Sequence, residues 1–206
     1  MADHYYTETP TSKHKPGQLN YEYRGHNLLF DTDSGVFSRT EIDRGTHELL
    51  AALPDTMTGK TLDLGCGYGV IGVSLGKVFP GMNILMADIN QRACDLSATN
   101  ARQNGVSAAV TQSDGYASIT ETGFDHILQN PPIRAGKAVI YQMFADGAAR
   151  LNPEGKLWLV IRKQQGAESA IKYLRTLFQQ VETIAKKGGF WVLCCSLPLN
   201  AKGETP

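Results

Sequence analysis

No apolar stretch in this chain approaches the roughly 20 residues that span a bilayer. The first ten residues, Met1 to Pro10, lack the apolar core of a secretion signal. Both absences point to the cytoplasm. Net charge is missing too: 20 Lys and Arg balance 20 Asp and Glu, so no global field draws the chain onto nucleic acid or an anionic membrane, and any contact with RNA must use a local patch. The four cysteines, Cys66, Cys94, Cys194 and Cys195, form no C-x-x-C pair and have no histidine at metal-ligand spacing. They read as small buried residues, with Cys194 and Cys195 on opposite faces of a strand, and no metal is expected. No repeat of roughly 20 to 50 residues is present.

What remains is an ordinary globular composition, 42% apolar and 19% charged over 206 residues, enough for one domain to bury a core without disulfides or metals. Residues 1–18 are polar and carry Lys13, His14, Lys15 and three turn formers, so they read as a flexible arm. Residues 19–206 read as a single domain. It begins with a hairpin over 19–31, whose two aromatic-rich strands flank Gly25 and need a partner surface. A helix is expected within Glu41–Leu53.

Beyond it the pattern alternates. Strands are expected at Thr61–Leu64, Asn83–Ala87, Ala108–Gln112, Phe124–Gln129 and Lys156–Ile161, with helices at Ile71–Phe79, Gln91–Gln103, Ala138–Arg150 and Ala167–Gln180. Such alternation implies right-handed crossovers and a doubly wound, mostly parallel sheet. A closing hairpin, Val181–Ala185 and Phe190–Cys195 around Gly188-Gly189, would add an antiparallel edge. The fold class is therefore α/β and Rossmann-like, with seven strands in the sheet and a separate N-terminal hairpin.

In such a fold ligands sit beyond the carboxyl ends of the strands, and the first βα turn comes closest to them. That turn is Asp63-Leu64-Gly65-Cys66-Gly67-Tyr68-Gly69, whose alternating glycines let the main chain approach a ligand. Gly67-Tyr68-Gly69-Val70-Ile71-Gly72 also spells the dinucleotide pattern, but its first glycine falls too late after the strand. Asp88, at the end of the second strand, can accept both hydroxyl protons of a ribose. That places an adenosine without choosing the cofactor. Asp114 follows the third strand in Ser113-Asp114-Gly115. After the fourth strand come Asn130-Pro131-Pro132, a rigid exit in which the Asn130 oxygen and the Pro131 carbonyl can accept hydrogen bonds from a flat amino group.

The order D-x-G-x-G-x-G, acidic strand end, S-D-G and N-P-P resembles the class I S-adenosylmethionine (SAM)-dependent methyltransferases. Within them it resembles the amino methyltransferases of the RsmC-like, methyltransferase small domain type, from about Tyr5 to Cys195. Gly35-Val36-Phe37-Ser38 and Ile133-Arg134-Ala135-Gly136-Lys137 extend the likeness. The resemblance implies SAM as cofactor, held by Asp63, Gly65, Gly67, Gly69, Asp88, Asp114 and Phe37, with Asp114 receiving the adenine amine. It implies Asn130, Pro131 and Pro132 as the catalytic loop, with Ile133, Arg134 and Lys137 beside the substrate. The substrate would be the exocyclic amine of a guanine in 16S ribosomal RNA, free or in the small ribosomal subunit. Two departures stand out. Ile133 replaces the aromatic that many members carry after the prolines, leaving Phe37 as the candidate for stacking. A hairpin and arm stand where the RsmC protein has a second, degenerate copy of the domain. Rival readings are a protein glutamine-amide methyltransferase, an NAD-dependent oxidoreductase and a non-catalytic RNA-binding factor.

Overall fold

The computed structural model describes residues 12–199. In chain order these form β1 (Gly17–Tyr23), β2 (His26–Thr32), α1 (Arg44–Ala51), β3 (Gly59–Leu64), α2 (Val70–Val78), β4 (Met82–Asp88), α3 (Gln91–Gln103), β5 (Ala108–Gln112), β6 (Phe124–Gln129), α4 (Lys137–Ala148), β7 (Leu151–Arg162), α5 (Ala167–Leu174), β8 (Phe178–Lys187) and β9 (Phe190–Pro198). Seven strands make one sheet in the order β5-β4-β3-β6-β7-β9-β8. The first five in that row run parallel, while β9 pairs antiparallel with both β7 and β8. This is the expected doubly wound sheet with an antiparallel edge.

Period-2 alternation assigns each strand's side chains to two cores. Leu157, Leu159 and Ile161 of β7, with Leu193 and Cys195 of β9, face α4 and α5. Trp158, Val160, Val192 and Cys194 face the opposite layer of α1, α2 and α3. All four cysteines are buried and free, and Cys194 and Cys195 do take opposite faces.

The hairpin closes through a two-residue turn, Arg24-Gly25, with both residues at positive φ. It covers the outer side of the helical layer. Asn100 of α3 and Asn104, the residue that caps its end, accept from the backbone of Asp31 and Leu29 at 2.8 and 3.0 Å, and the Tyr23 hydroxyl donates to the Leu50 carbonyl at 3.1 Å. The first strand begins at Gly17, two residues before the expected boundary. Residues 12–15 are tied down as well: His14 and the Lys15 amide bond to Asp33, and Arg92 bonds to Ser12. The remainder of the expected arm lies outside the described residues.

One helix is shorter than its sequence pattern. The α5 segment stops at Leu174, where the Thr176 hydroxyl and the Leu177 amide bond back to the carbonyls of Tyr173 and Leu174. Phe178, Gln179 and Gln180, expected in the helix, instead begin β8 against β9. Phe178 is buried there, so tertiary burial overrides the helical period. Among the described residues no helix is long and apolar enough to cross a membrane, and no group of three His, Cys, Asp or Glu is placed to hold a metal ion.

Candidate active site

The strand order reverses between β3 and β6. The chain runs outward through β4 and β5, then returns to pair β6 on the other side of β3, and the crevice beyond that reversal is where ligands enter such sheets. A concave cleft opens there, the kind of place that small molecules occupy. Phe37, Gly65, Gly67, Asp88, Asp114, Asn130, Pro131 and Pro132 all line it. Residues from five separate segments of sequence therefore meet in one place.

The glycine turn leaves β3 with Gly65 and Gly67 at φ of 74° and 57°, a region that side chains enter at a cost. A Cβ on either would meet no protein atom within 4 Å, so their bare faces look into open space. Gly72, one turn into α2, serves packing instead: a Cβ there would fall 2.6 Å from Met86 of β4. Gly69 caps α2 beside Ser97 and does not line the cleft.

Asp88 ends β4 with its carboxylate held by backbone amides, Gly67 N–H at 2.8 Å and Asn90 N–H at 2.9 Å. Burial raises its pKa, opposed by the amides of Asn90, Gly67 and Ile89. Each oxygen keeps lone-pair capacity toward the cleft. Asp114 is exposed on the β5 exit at the far side. Val139, 48% exposed, and Met143, both on α4, supply an apolar wall.

Asp63 sits elsewhere than the other acids. Strand alternation turns it under α2, with no exposed surface, where its Oδ2 accepts from Gly72 N–H at 2.8 Å. Its Oδ1 has no hydrogen-bond partner among the described residues. Burial pushes its pKa up to about 7, relieved by the Gly72 amide and raised again by the Asp88 charge. It supports the glycine turn from below and does not reach the cleft.

Asn130, just past β6, is held through its side-chain amide. Its Nδ2 donates to Asp43 Oδ2 at 2.8 Å and to Thr46 Oγ1 at 3.0 Å. Both amide protons are thereby committed, and Oδ1 has no partner among the described residues. Asp43 also caps α1 by accepting from Thr46 N–H at 2.9 Å. Neither Asp43 nor Thr46 was expected at the site from sequence; the only signal is a capping Asp before an apolar run, which marks a helix start and names no distant partner. After the prolines a single 3-10 turn, Ile133–Ala135, is fixed by Ala135 N–H on the Pro132 carbonyl at 2.8 Å. Ile133 packs against the α4/α5 core, while Arg134 and Lys137 are exposed outside the cleft lining.

The profile of the family described as "Methyltransferase small domain" matches residues 27–194. The chain belongs to this family. With that membership the cofactor is SAM, and the chain is a SAM-dependent methyltransferase. It is 42% identical to a Bacillus subtilis protein named uncharacterized protein YbxB, over 94% of this chain and 98% of that one. It is 34% identical to ribosomal RNA small subunit methyltransferase C of Colwellia psychrerythraea, over 82% of this chain and 47% of that protein. A solved structure of the T. thermophilus 16S rRNA N2 G1207 methyltransferase (RsmC), in complex with AdoMet and guanosine, superposes with a TM-score of 0.80. It shares 26% identity and covers 91% of this chain and 52% of that one. The chain thus spans about half the length of the methyltransferase C relatives it matches. The cleft suits the cofactor: bare glycines face open space, and beside them a buried acid retains acceptor capacity.

Proposed function

We propose that this methyltransferase acts on RNA, transferring the methyl group of SAM to the exocyclic amine of a base, a guanine of 16S ribosomal RNA. The observation that carries the reading is the commitment of both Asn130 amide protons to Asp43 and Thr46. With Nδ2 fully used, Asn130 offers the cleft an oxygen alone, and a lone acceptor there selects a group that donates. The Pro131 carbonyl, next in the chain, has no hydrogen-bond partner among the described residues and is the natural second acceptor. Two acceptors facing one planar NH2 would fix its plane and turn its nitrogen lone pair toward the methyl donor.

SAM, when bound, supplies a methyl on a positively charged sulfur, so the S–CH3 electron pair stays on sulfur as the N–CH3 bond forms. Asp88 would hold the ribose hydroxyls, Gly65 and Gly67 would let the main chain lie against the cofactor, and Asp114 would take the adenine amine. Phe37, 37% exposed at the mouth, would stack on the base in the absence of an aromatic at Ile133. The nitrogen loses a proton after it gains the methyl, so a strong base is not required. Among the described residues no histidine lines the cleft.

An RNA strand also needs cations for its phosphates. Several gather at the same carboxyl edge of the sheet. The Lys163 amide bonds to the Gly189 carbonyl at 2.9 Å, bringing the end of β7 to the β8–β9 turn with Lys186 and Lys187. The Arg44 guanidinium lies directly against Gly188. Arg134 and Lys137 follow the Asn130-Pro131-Pro132 loop and are exposed. On this reading Arg44, Lys163 and Lys186, with Arg134 and Lys137, would supply the local patch that a chain of zero net charge needs for RNA, while Lys187 pairs with Glu48 at 3.7 Å. On the same reading the partner is ribosomal RNA or the small ribosomal subunit, the protein works in the cytoplasm, and residues 19–206 act as one catalytic domain.

The test is transfer of labelled methyl from SAM to undermethylated small subunits and to naked 16S RNA, with Asn130→Ala as control and nucleoside digestion of the product. Label in methylguanosine, absent from the variant, is the expected result. Label in protein would replace RNA with a glutamine-amide substrate. Tight SAM binding with no transfer to either would overturn the catalytic reading.

A further inference from the structure

The reaction needs Asn130 to present oxygen, and an unrestrained side-chain amide has no reason to. The two ends of a carboxamide have nearly the same shape, so a half-turn about its last torsion exchanges an acceptor for a donor. A donor aimed at an amino group repels it. Something must therefore choose the orientation, and the choice lies outside the Asn130-Pro131-Pro132 loop.

We infer that Asp43, with Thr46, is the positioning residue that sets the Asn130 amide for catalysis. The geometry is specific. A carboxylate only accepts hydrogen bonds, so Asp43 Oδ2 at 2.8 Å admits the Nδ2 end and rejects Oδ1. Thr46 Oγ1 takes the second proton at 3.0 Å. Asp43 is itself held, because the same Oδ2 caps α1 on the Thr46 amide at 2.9 Å. The helix is also pinned to the sheet: a Cβ on Gly45 would fall 3.0 Å from the Phe190 ring. The charge has a second effect. A negative acceptor on Nδ2 polarises the amide and makes Oδ1 a stronger acceptor, and that interaction grows as the amine nitrogen becomes positive during transfer. Asp43 and Thr46 line the small recess that adjoins the main cleft through Asn130, so the charge is close to where it is needed.

This inference rests on the proposed role of Asn130 as acceptor for an amine, and the experiment separates the two. Asp, Asn and Ser are nearly equal helix caps, so Asp43→Asn and Asp43→Ser both preserve α1. Asn retains an oxygen at the position Nδ2 requires but loses the charge. Ser is too short to reach Asn130. Thr46→Val removes the second acceptor and leaves the backbone cap in place. Single-turnover transfer at saturating SAM and RNA is expected to fall in the order wild type, Asp43→Asn, Asp43→Ser. The Ser variant should lose about tenfold or more and the Ser/Val double variant further still. SAM affinity should stay within about twofold, since the loss belongs to positioning of the amine. Equal rates in the Asn and Ser variants would reduce Asp43 to a cap and overturn the inference.

The independent readout is hydrogen exchange of the Asn130 side-chain amide by NMR, with the signal identified by its loss in Asn130→Asp. Slow exchange in the wild type that accelerates in Asp43→Ser/Thr46→Val supports the inference even if RNA proves the wrong substrate. Equally fast exchange in both proteins overturns it whatever the substrate.

Discussion

On the function proposed above, one wall of the cleft holds the cofactor and the other accepts the amine, and the two are built differently. On the cofactor wall, contacts are short-range in sequence and made largely by backbone: Asp63 reaches a glycine 9 residues on, and Asp88 holds an amide 21 residues back. On the acceptor wall the deciding contacts join side chains 84 and 87 residues apart, Asn130 to Thr46 and to Asp43. A wall of adjacent βα turns follows from the fold, whereas the other requires α1 to dock correctly over β7 and β9 before its chemistry exists. The expected consequence is separability: changes on one wall alter binding of the methyl donor, and changes on the other alter the rate.

The sharpest test of that separation is Asn130→Ala. Removing the acceptor should lower the single-turnover rate on the order of a thousandfold, comparable to deleting one preorganised hydrogen-bonding group in other active sites. SAM affinity measured by calorimetry should remain within about twofold. A large loss of SAM affinity would show that the walls are not independent and that Asn130 belongs to both.

Asp63 tests whether the cofactor wall has a supporting layer distinct from its contacts. Its folded-state pKa is raised to about 7 from the ordinary 3.8, so the folded protein holds that proton more tightly than the unfolded chain. The stability this confers is complete below about pH 4, declines as pH rises and is gone above about pH 7, a swing of roughly 4 kcal/mol at most. Asp63→Asn should flatten the dependence of the urea midpoint on pH across this window and leave SAM affinity near that of the wild type. A SAM affinity that collapses in the Asn variant would make Asp63 a contact after all.

The same contrast explains what was legible in the sequence. The alternation of strands and helices, the glycine turn and the acid at the end of β4 are local patterns, and the structure places Gly65, Gly67, Asp88 and Asp114 together at the cleft. Asp63 belongs to the same motif, but its place under α2 depends on strand phase: Leu62 and Leu64 face the α4/α5 core, so the residue between them must face the other way. Asp43 was legible only as one residue inside the helical segment expected over Glu41–Leu53. Its partner lies four strands further along the chain, and no spacing in the sequence encodes that distance. The overlong α5 has the same cause, since the burial of Phe178 against β9 is a tertiary event.

Asp88→Ala should act on the donor alone. Losing an acid that serves a ribose costs about 2 kcal/mol, roughly a thirtyfold weaker SAM dissociation constant. At saturating SAM the transfer rate should recover, because the acceptor wall is untouched. A rate that stays low at saturation would mean that the Gly67 amide, freed from Asp88, no longer holds the turn in place.

Phe37 has the smallest expected effect and is the most informative about where the walls meet. It lines the main cleft and also the recess that holds Asp43 and Thr46. Its loop is tied to the cofactor wall, with Asn90 Nδ2 on the Gly35 carbonyl at 2.7 Å and the Tyr68 hydroxyl on the Ser38 carbonyl at 3.1 Å. An aromatic that stacks on a base contributes about 1 kcal/mol or somewhat more, so Phe37→Leu should raise the KM for RNA several-fold with SAM affinity unchanged, and Phe37→Tyr should restore it. If the variant weakens SAM instead, Phe37 belongs to the cofactor, and the base must stack on another surface. The exposed Val139 of α4 would then be the apolar side chain to change next.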